Sequence, residues 1–258
     1  MTDRWTERDR RRYLCRRVDR ALELGGGQPD PAWNDIPASD SFVDITGDPV
    51  LQPRFETRVQ MAWDEQYFYF RAVLEEPHVW GTITEKNAVM FEDNDFEIFI
   101  DPDRDGLNYY EFEINALGSI WELSLPKPYG DGGKPRLGCN IEGLISVVRI
   151  DGTLNDPTDT DRAWSVEVAI PWAGLREYHA DGRSPPRPGD VWRINFSRVQ
   201  WQHQVVDGRY ERIPPHGTPL AESLNPEEQE HPEDNWVWSP QGQVNMHLPL
   251  RWGEVEFS

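Results

Sequence analysis

Cysteine, lysine and long apolar runs are all scarce in this chain, and each scarcity excludes something. Cys15 and Cys139 are the only cysteines among 258 residues. Neither sits in a spacing motif, so the expectation is two reduced thiols and not a disulfide framework. The six histidines are dispersed, with no His-x-x-x-His pair to support a zinc site. No apolar run approaches the length needed to cross a bilayer, and the arginine-rich start lacks the apolar segment of a signal peptide. A soluble, cytoplasmic protein with no membrane partner is therefore expected. Positive charge is short as well: Lys86, Lys127 and Lys134 are the only lysines, and the formal net charge is −20. Phosphate neutralisation needs clustered Lys and Arg, which argues against a nucleic-acid partner. Helical periodicity is missing too, because no stretch after residue 25 sustains three turns. The breaker cluster Gly25-Gly26-Gly27 has no following Lys-Ser/Thr, which removes a phosphate-binding loop.

What the chain has instead is aromatic surface, with 12 Trp, 8 Tyr and 10 Phe, and apolar residues placed at every second position. Period-two alternation predicts strands over 57–63, 67–74, 96–101, 109–117, 164–170 and 192–198. Weaker patterns occur over 141–150 and 253–257, with a single helical turn at 172–175. Short strands with frequent turn signals predict an all-β, two-sheet antiparallel sandwich with long loops. The arginine-rich residues 1–29 read as an N-terminal arm, or as a short amphipathic helix, and residues 30–258 as one domain. The segment His203 to Pro240, with the acidic run Glu227-Glu228-Gln229-Glu230, reads as a long loop.

The centre of the pattern is a hairpin. In its first arm Phe96, Ile98 and Ile100 alternate with Glu97, Phe99 and Asp101. In its second, Tyr110, Phe112 and Ile114 alternate with Glu111, Glu113 and Asn115. Both apolar sets must face one core, which demands a connection with an odd number of residues, since a one-residue slip would turn every side chain over. Glu97 then falls opposite or diagonal to Glu113 and Asn115, on the face away from the core, which is expected to be open to solvent. Phe91 and Trp121 flank these polar groups.

The string Asp95-Phe96-Glu97-Ile98-Phe99-Ile100-Asp101, followed by Tyr109-Tyr110 and Phe112-Glu113-Ile114-Asn115, resembles the family-9 carbohydrate-binding modules. Further blocks of that pattern are Trp63-Asp64-Glu65-Gln66-Tyr67-Phe68-Tyr69, Trp164 to Trp172, Gly189-Asp190 with Asn195, and Trp252-Gly253. Together they span roughly residues 30–258. The resemblance implies a jelly-roll-like sandwich related to DOMON-like domains, and non-catalytic binding of an oligo- or polysaccharide or its sugar end. It implies a sugar clamped between two aromatic rings, with a Glu and an Asn on its hydroxyls. By position, one ring falls on Phe91. The other falls near Met246-His247, or on Trp236 or Trp238. Glu97 and Asn115 take the polar places, and Glu113 stands where the family pattern has a basic residue.

Chemistry gives these residue types the same sense. Ring faces stack on the C–H-rich faces of pyranoses, while carboxylates and amides satisfy hydroxyls from the side. The candidate carbohydrate-binding set is Phe91, Glu97, Glu113, Asn115, Trp121, Trp236, Trp238 and His247. Asp101, Asp103 and Asp105 place oxygens at alternate positions of a turn, a candidate calcium site. Phe112 at the twelfth position excludes an EF-hand. Two other functions remain open. Glu97 with Glu111 or Glu113 could act as the acid and base of a glycoside hydrolase or lyase, because cross-strand Cβ atoms lie about 4.5–5.5 Å apart. A DOMON-like haem binder would need a Met/His pair, for which Met61, Met90 and His78 are available.

Overall fold

The computed structural model describes residues 5–213, 231 and 233–258. All six predicted strands are present in an almost wholly β molecule. The strands in chain order are β1 (Arg12–Arg17), β2 (Val43–Asp44), β3 (Thr57–Trp63), β4 (Tyr67–Glu75), β5 (Asp95–Asp101), β6 (Tyr109–Asn115), β7 (Ile120–Leu125) and β8 (Arg136–Leu137). Then come β9 (Ile145–Asp151), β10 (Ala163–Pro171), the single turn α1 (Trp172–Leu175), β11 (Val191–Gln200), β12 (His203–Val206), β13 (Arg209–Arg212), β14 (Asp234–Val237) and β15 (Gly253–Phe257). The acidic run at 227–230 lies outside the described residues. No described helix is long and apolar enough to cross a membrane.

The strands form one curled sheet in the order β8-β7-β6-β5-β11-β15-β1-β3-β4-β10-β9, with β14 beside β11 and β2 beside β14; β12 and β13 form a separate hairpin. Folding this sheet on itself gives two layers. Phe96, Ile98, Ile100, Phe112 and Ile114 from one layer meet Val59, Met61, Phe68, Phe70, Trp164 and Val168 from the other in a single apolar core. Period-two alternation produces this directly, since each strand gives alternate side chains to the interior. An aromatic knot closes one end: Phe68 lies 5.2 Å from Trp172 and 5.2 Å from Phe257, and Trp192 5.1 Å from Phe257.

The structure departs from the antiparallel expectation at β1. Arg12 to Cys15 pair in parallel with Glu254 to Phe257, and Arg16 and Arg17 pair in parallel with Ala62 and Trp63. One strand from the arginine-rich segment thus joins the two layers, and that stretch is strand where a helix was one alternative. Tyr13 and Cys15 point into the core, while the arginines around them point out.

The central hairpin has the predicted register. Asp95 pairs with Asn115, Glu97 with Glu113 and Phe99 with Glu111. Its connection is pinned by Asp101, whose carboxylate accepts from the Arg104 and Gly106 amides, each at 2.9 Å. Gly106 adopts φ 81°, open to glycine at no steric cost.

The expectation of an open face is overturned. A second apolar layer of Ile45, Met90, Tyr109, Trp121, Leu125, Tyr129, Met246 and Trp252 covers the side of β5, β6 and β7 that faces away from the core. Glu97 is 5% exposed, Glu113 1% and Asn115 0%. The covering comes from chain near residues 83–91 and 237–252, which shows no periodicity that would announce it.

Candidate functional site

A pocket of about 70 Å³ opens within this second layer. At roughly 10–15 Å³ of such space per water, it seats about five to seven water-sized groups. Its floor is the outward face of β5 and β6, which offers Glu97, Glu111 and Glu113. Trp121 and Leu123 of β7 extend that floor. One wall is Phe91, carried on the short turn Met90–Glu92, together with Tyr129. Glu233, Asn235 and the segment Asn245 to His247, whose imidazole packs 4.6 Å from the Tyr129 ring, complete the lining. The Phe91 and Trp121 rings lie 6.2 Å apart between centroids, tilted by 37°. The Trp201 indole holds the Phe91 carbonyl at 2.8 Å and so fixes the wall.

Glu97 and Glu113 are directly opposed, and like charges in that arrangement destabilise a sheet. Burial raises the Glu97 carboxyl to about 7, with Glu233 adding to the rise and the Ser197 hydroxyl opposing it. Asp95, Glu111 and Glu113 are all pushed well above the ordinary carboxyl range, first by burial and then by the nearby Glu97. No lysine or arginine lines the pocket among the described residues. His247 supplies no positive charge either, because burial lowers its imidazole to about 3. Its Nδ1 is hydrogen-bonded to the Tyr109 hydroxyl at 2.9 Å. The Trp121 indole N–H is buried without a hydrogen-bond partner.

Of the eight residues expected to bind sugar, the structure gathers five around this pocket: Phe91, Glu97, Glu113, Trp121 and His247. Asn115 is adjacent but otherwise engaged. Its amide donates to Ile83 O at 2.8 Å and Asp93 Oδ2 at 2.9 Å, and its oxygen accepts from the Leu117 and Ser119 amides. It fastens the β6–β7 turn. Trp236 and Trp238 lie in the main core, where the Arg198 guanidinium sits 5.1 Å from the Trp236 ring centroid and Phe196 packs 5.9 Å from Trp238.

The proposed metal carboxylates do not converge. Asp101 caps its own turn, Asp103 accepts from the Ala180 amide at 2.6 Å and faces His179, and Asp105 accepts from the Leu107 amide. Nor does a haem ligand pair form. Met61 is buried in the main core and Met90 in the outer layer, while His78 bonds the Tyr210 hydroxyl.

Sequence reasoning left out Asp95, Tyr129, Glu233, Asn235 and Asn245. Asp95 had a signal, since it shares strand parity with Glu97. Tyr129, Glu233 and Asn245 reach the pocket from segments outside the strands, and Asn235 from the short strand β14, none of which carries a signal.

The chain matches the family model described as "Carbohydrate family 9 binding domain-like" over residues 25–184. It is 26% identical over 155 residues to endo-1,4-beta-xylanase A of Thermotoga maritima, and 26% over 150 residues to endo-1,4-beta-xylanase C of Paenibacillus barcinonensis. Each match covers 58% of this chain but 12% of the xylanase. Among solved structures, a candidate carbohydrate-binding protein from Bacteroides uniformis superposes with a TM-score of 0.63 at 15% identity, covering 96% of this chain and all of that one. A family 9 carbohydrate-binding module from Caldicellulosiruptor kristjanssonii, in complex with cellotriose, gives a TM-score of 0.55 at 13% identity over 96% of this chain and 94% of that one. Its glucose complex gives 0.56 at 13% identity, with 96% of both chains covered. At these identities the likeness is one of fold.

Proposed function

We propose that this chain, which belongs to the carbohydrate family 9 binding domain-like family, binds the end of an oligo- or polysaccharide in the pocket over β5–β7 and does not cleave it. One observation carries the reading. Ring faces (Phe91, Trp121, Tyr129) and hydroxyl-binding groups (Glu97, Glu113, Asn245) converge on one small, half-open pocket. A pyranose has both surfaces, an apolar C–H face and a rim of hydroxyls. Carboxyl groups that burial holds partly protonated can both donate to and accept from that rim. The limited room suits a terminal sugar better than the middle of a chain. The relatives point the same way: the Caldicellulosiruptor module is described with cellotriose and with glucose.

Asn115 serves the site in this reading by holding the β6–β7 turn that presents Trp121. The place of the second clamping ring falls to Trp121 or Tyr129, since Trp236 and Trp238 are in the core.

Calorimetry with cellotriose, glucose and xylo-oligosaccharides tests the proposal. Phe91→Ala is expected to cost about 0.5–1.5 kcal/mol of stacking, roughly two- to thirteenfold in affinity. Glu97→Gln removes a charge-assisted acceptor worth about 1.5–3 kcal/mol, roughly ten- to a hundredfold. Parent-like binding by both variants would place the sugar elsewhere. Cleavage of a bound glycan by the parent, lost in Glu97→Gln while binding persists, would make the pair Glu97 and Glu113 catalytic.

A further inference from the structure

Asp95 is the least explained side chain near the pocket. It lies two residues before Glu97 on the same face of β5 and is fully buried. Its carboxyl group lies beside the Val199 amide, yet neither oxygen makes a hydrogen bond of normal geometry. Glu113 Oε2 is also without a partner. One oxygen each from Asp95, Glu97 and Glu113 lies within 4.8 Å of the other two. Among the described residues no lysine or arginine lines the pocket to answer these groups. The nearby Arg198 faces the other side of the sheet, bound to Glu76, Gln200 and Thr57. Arg212 donates to the Glu92 carbonyl and lies over Trp201.

Buried carboxylates are found paired or bound to metal, because desolvating an unpaired one costs several kcal/mol. Calcium takes oxygens at 2.3–2.6 Å, so oxygens on opposite sides of the ion are about 5 Å apart. Three oxygens within 4.8 Å of one another fit around such an ion. The donor set is all carboxylate, with no His or Cys, which favours a hard cation over zinc. Three side chains leave part of a six- to eightfold shell open. Glu97 and Glu113 line the pocket, and Asp95 stands next to Glu97 along the same strand face, outside the lining, so the open positions of a shared ion lie on the pocket side.

We propose that Asp95, Glu97 and Glu113 hold a hard divalent cation of the calcium class beneath the pocket, and that its open positions take neighbouring hydroxyls of the bound sugar. The second half rests on the sugar-binding reading; the first half stands without it. This site is separate from the Asp101–Asp105 turn.

The test uses the full chain stripped with chelator and titrated calorimetrically with calcium chloride alone. One calcium per chain is expected. Losing even an outer partner of a metal ligand costs about 10–100-fold in affinity, so Asp95→Asn should weaken calcium at least that much. Asp103→Asn, in the turn, should bind as the parent does. Should Asp95→Asn fail to fold, terbium replaces the variant as probe. Trp121 pairs with Glu113 across β6 and β7, so terbium emission excited through tryptophan should be quenched by calcium and reduced in Trp121→Phe. No calcium uptake by the parent, uptake unchanged in Asp95→Asn, or terbium emission indifferent to Trp121→Phe would overturn the site. Sugar binding is then compared with and without calcium, with at least a tenfold loss expected on chelation. Equal sugar affinity in both conditions overturns the hydroxyl contact while sugar binding itself stands. Calcium binding with no sugar bound upholds the cation and sinks the sugar reading. Tight binding of glucosamine to the chelated protein, lost in Asp95→Asn, would overturn the metal in favour of an ammonium site.

Discussion

Acid should unfold this protein partly through one imidazole. His247 is 8% exposed, and burial lowers it from the ordinary 6.5 to about 3. A histidine with a depressed folded value binds its proton more readily in the unfolded chain, so stability falls as pH drops from about 6.5 towards 3. Each pH unit in that window is worth about 1.4 kcal/mol at most. The linkage gives a loss of about 2 kcal/mol at pH 5 and about 3 kcal/mol at pH 4, relative to neutral pH. His247→Gln removes the titration while keeping a hydrogen-bonding side chain for the Tyr109 hydroxyl. Urea unfolding of parent and variant at pH 7, 6, 5 and 4 isolates the effect as the difference between the two curves. That difference should narrow in the variant's favour by the stated amounts as the pH falls. A difference that stays flat between pH 7 and 5 would refute the reasoning, and would mean that the imidazole is hydrated in the folded state.

Two further outcomes concern packing. Glu76 and Arg198 form a buried pair at 3.1 Å, with burial lowering the guanidinium to about 10. Glu76→Ala strands that charge in the interior and should cost about 3–5 kcal/mol in urea unfolding, much of it recovered by adding Arg198→Met; a loss under about 1 kcal/mol would contradict the pairing. A Cβ on Gly253 would meet three ring carbons of Trp238, two of them at 2.7 and 2.9 Å. Gly253→Ala should therefore lower stability by about 1–3 kcal/mol, and Trp238→Phe should restore part of it; an unchanged thermal midpoint in Gly253→Ala would show that the ring is free to move.

The hairpin was legible in detail because alternation and a shared core together fix both parity and register. Glu97 opposite Glu113 follows from nothing more than the placement of Ile98 and Phe112. What lies on the far side of those strands was not legible. Parity tells which way Glu97 points, but a period-two pattern cannot say whether a loop will return to cover it. Phe99, Trp121 and Leu123 were the available hint, being large apolar side chains on the supposed wet face. Trp236 and Trp238 were misplaced for a related reason. They alternate about Val237, Trp236 within β14 and Trp238 just past its end, yet they follow a long Pro-rich segment that reads as loop. In β1, the inward Tyr13 and Cys15 show correct alternation, but the arginines on either side of them dominate any reading by charge. The three carboxylates proposed as ligands announce themselves only in three dimensions, since Asp95 and Glu113 are brought together by register and not by spacing.

The parallel pairing of β1 with β15 has a kinetic consequence. Arg12 and Glu254 are partners across about 240 residues of chain. Closing so long a loop costs roughly 3 kcal/mol more in entropy than closing one of ten residues. The strand that joins the two layers is therefore made before its partners and fully seated late. Its Arg16–Arg17 end can meet β3 early, but the pairing of Tyr13 and Cys15 waits until Gly253–Phe257 has emerged. The β3–β4 and β5–β6 hairpins close over short loops and can form well before then, so refolding should pass through hairpins that are already paired while the two layers are still apart.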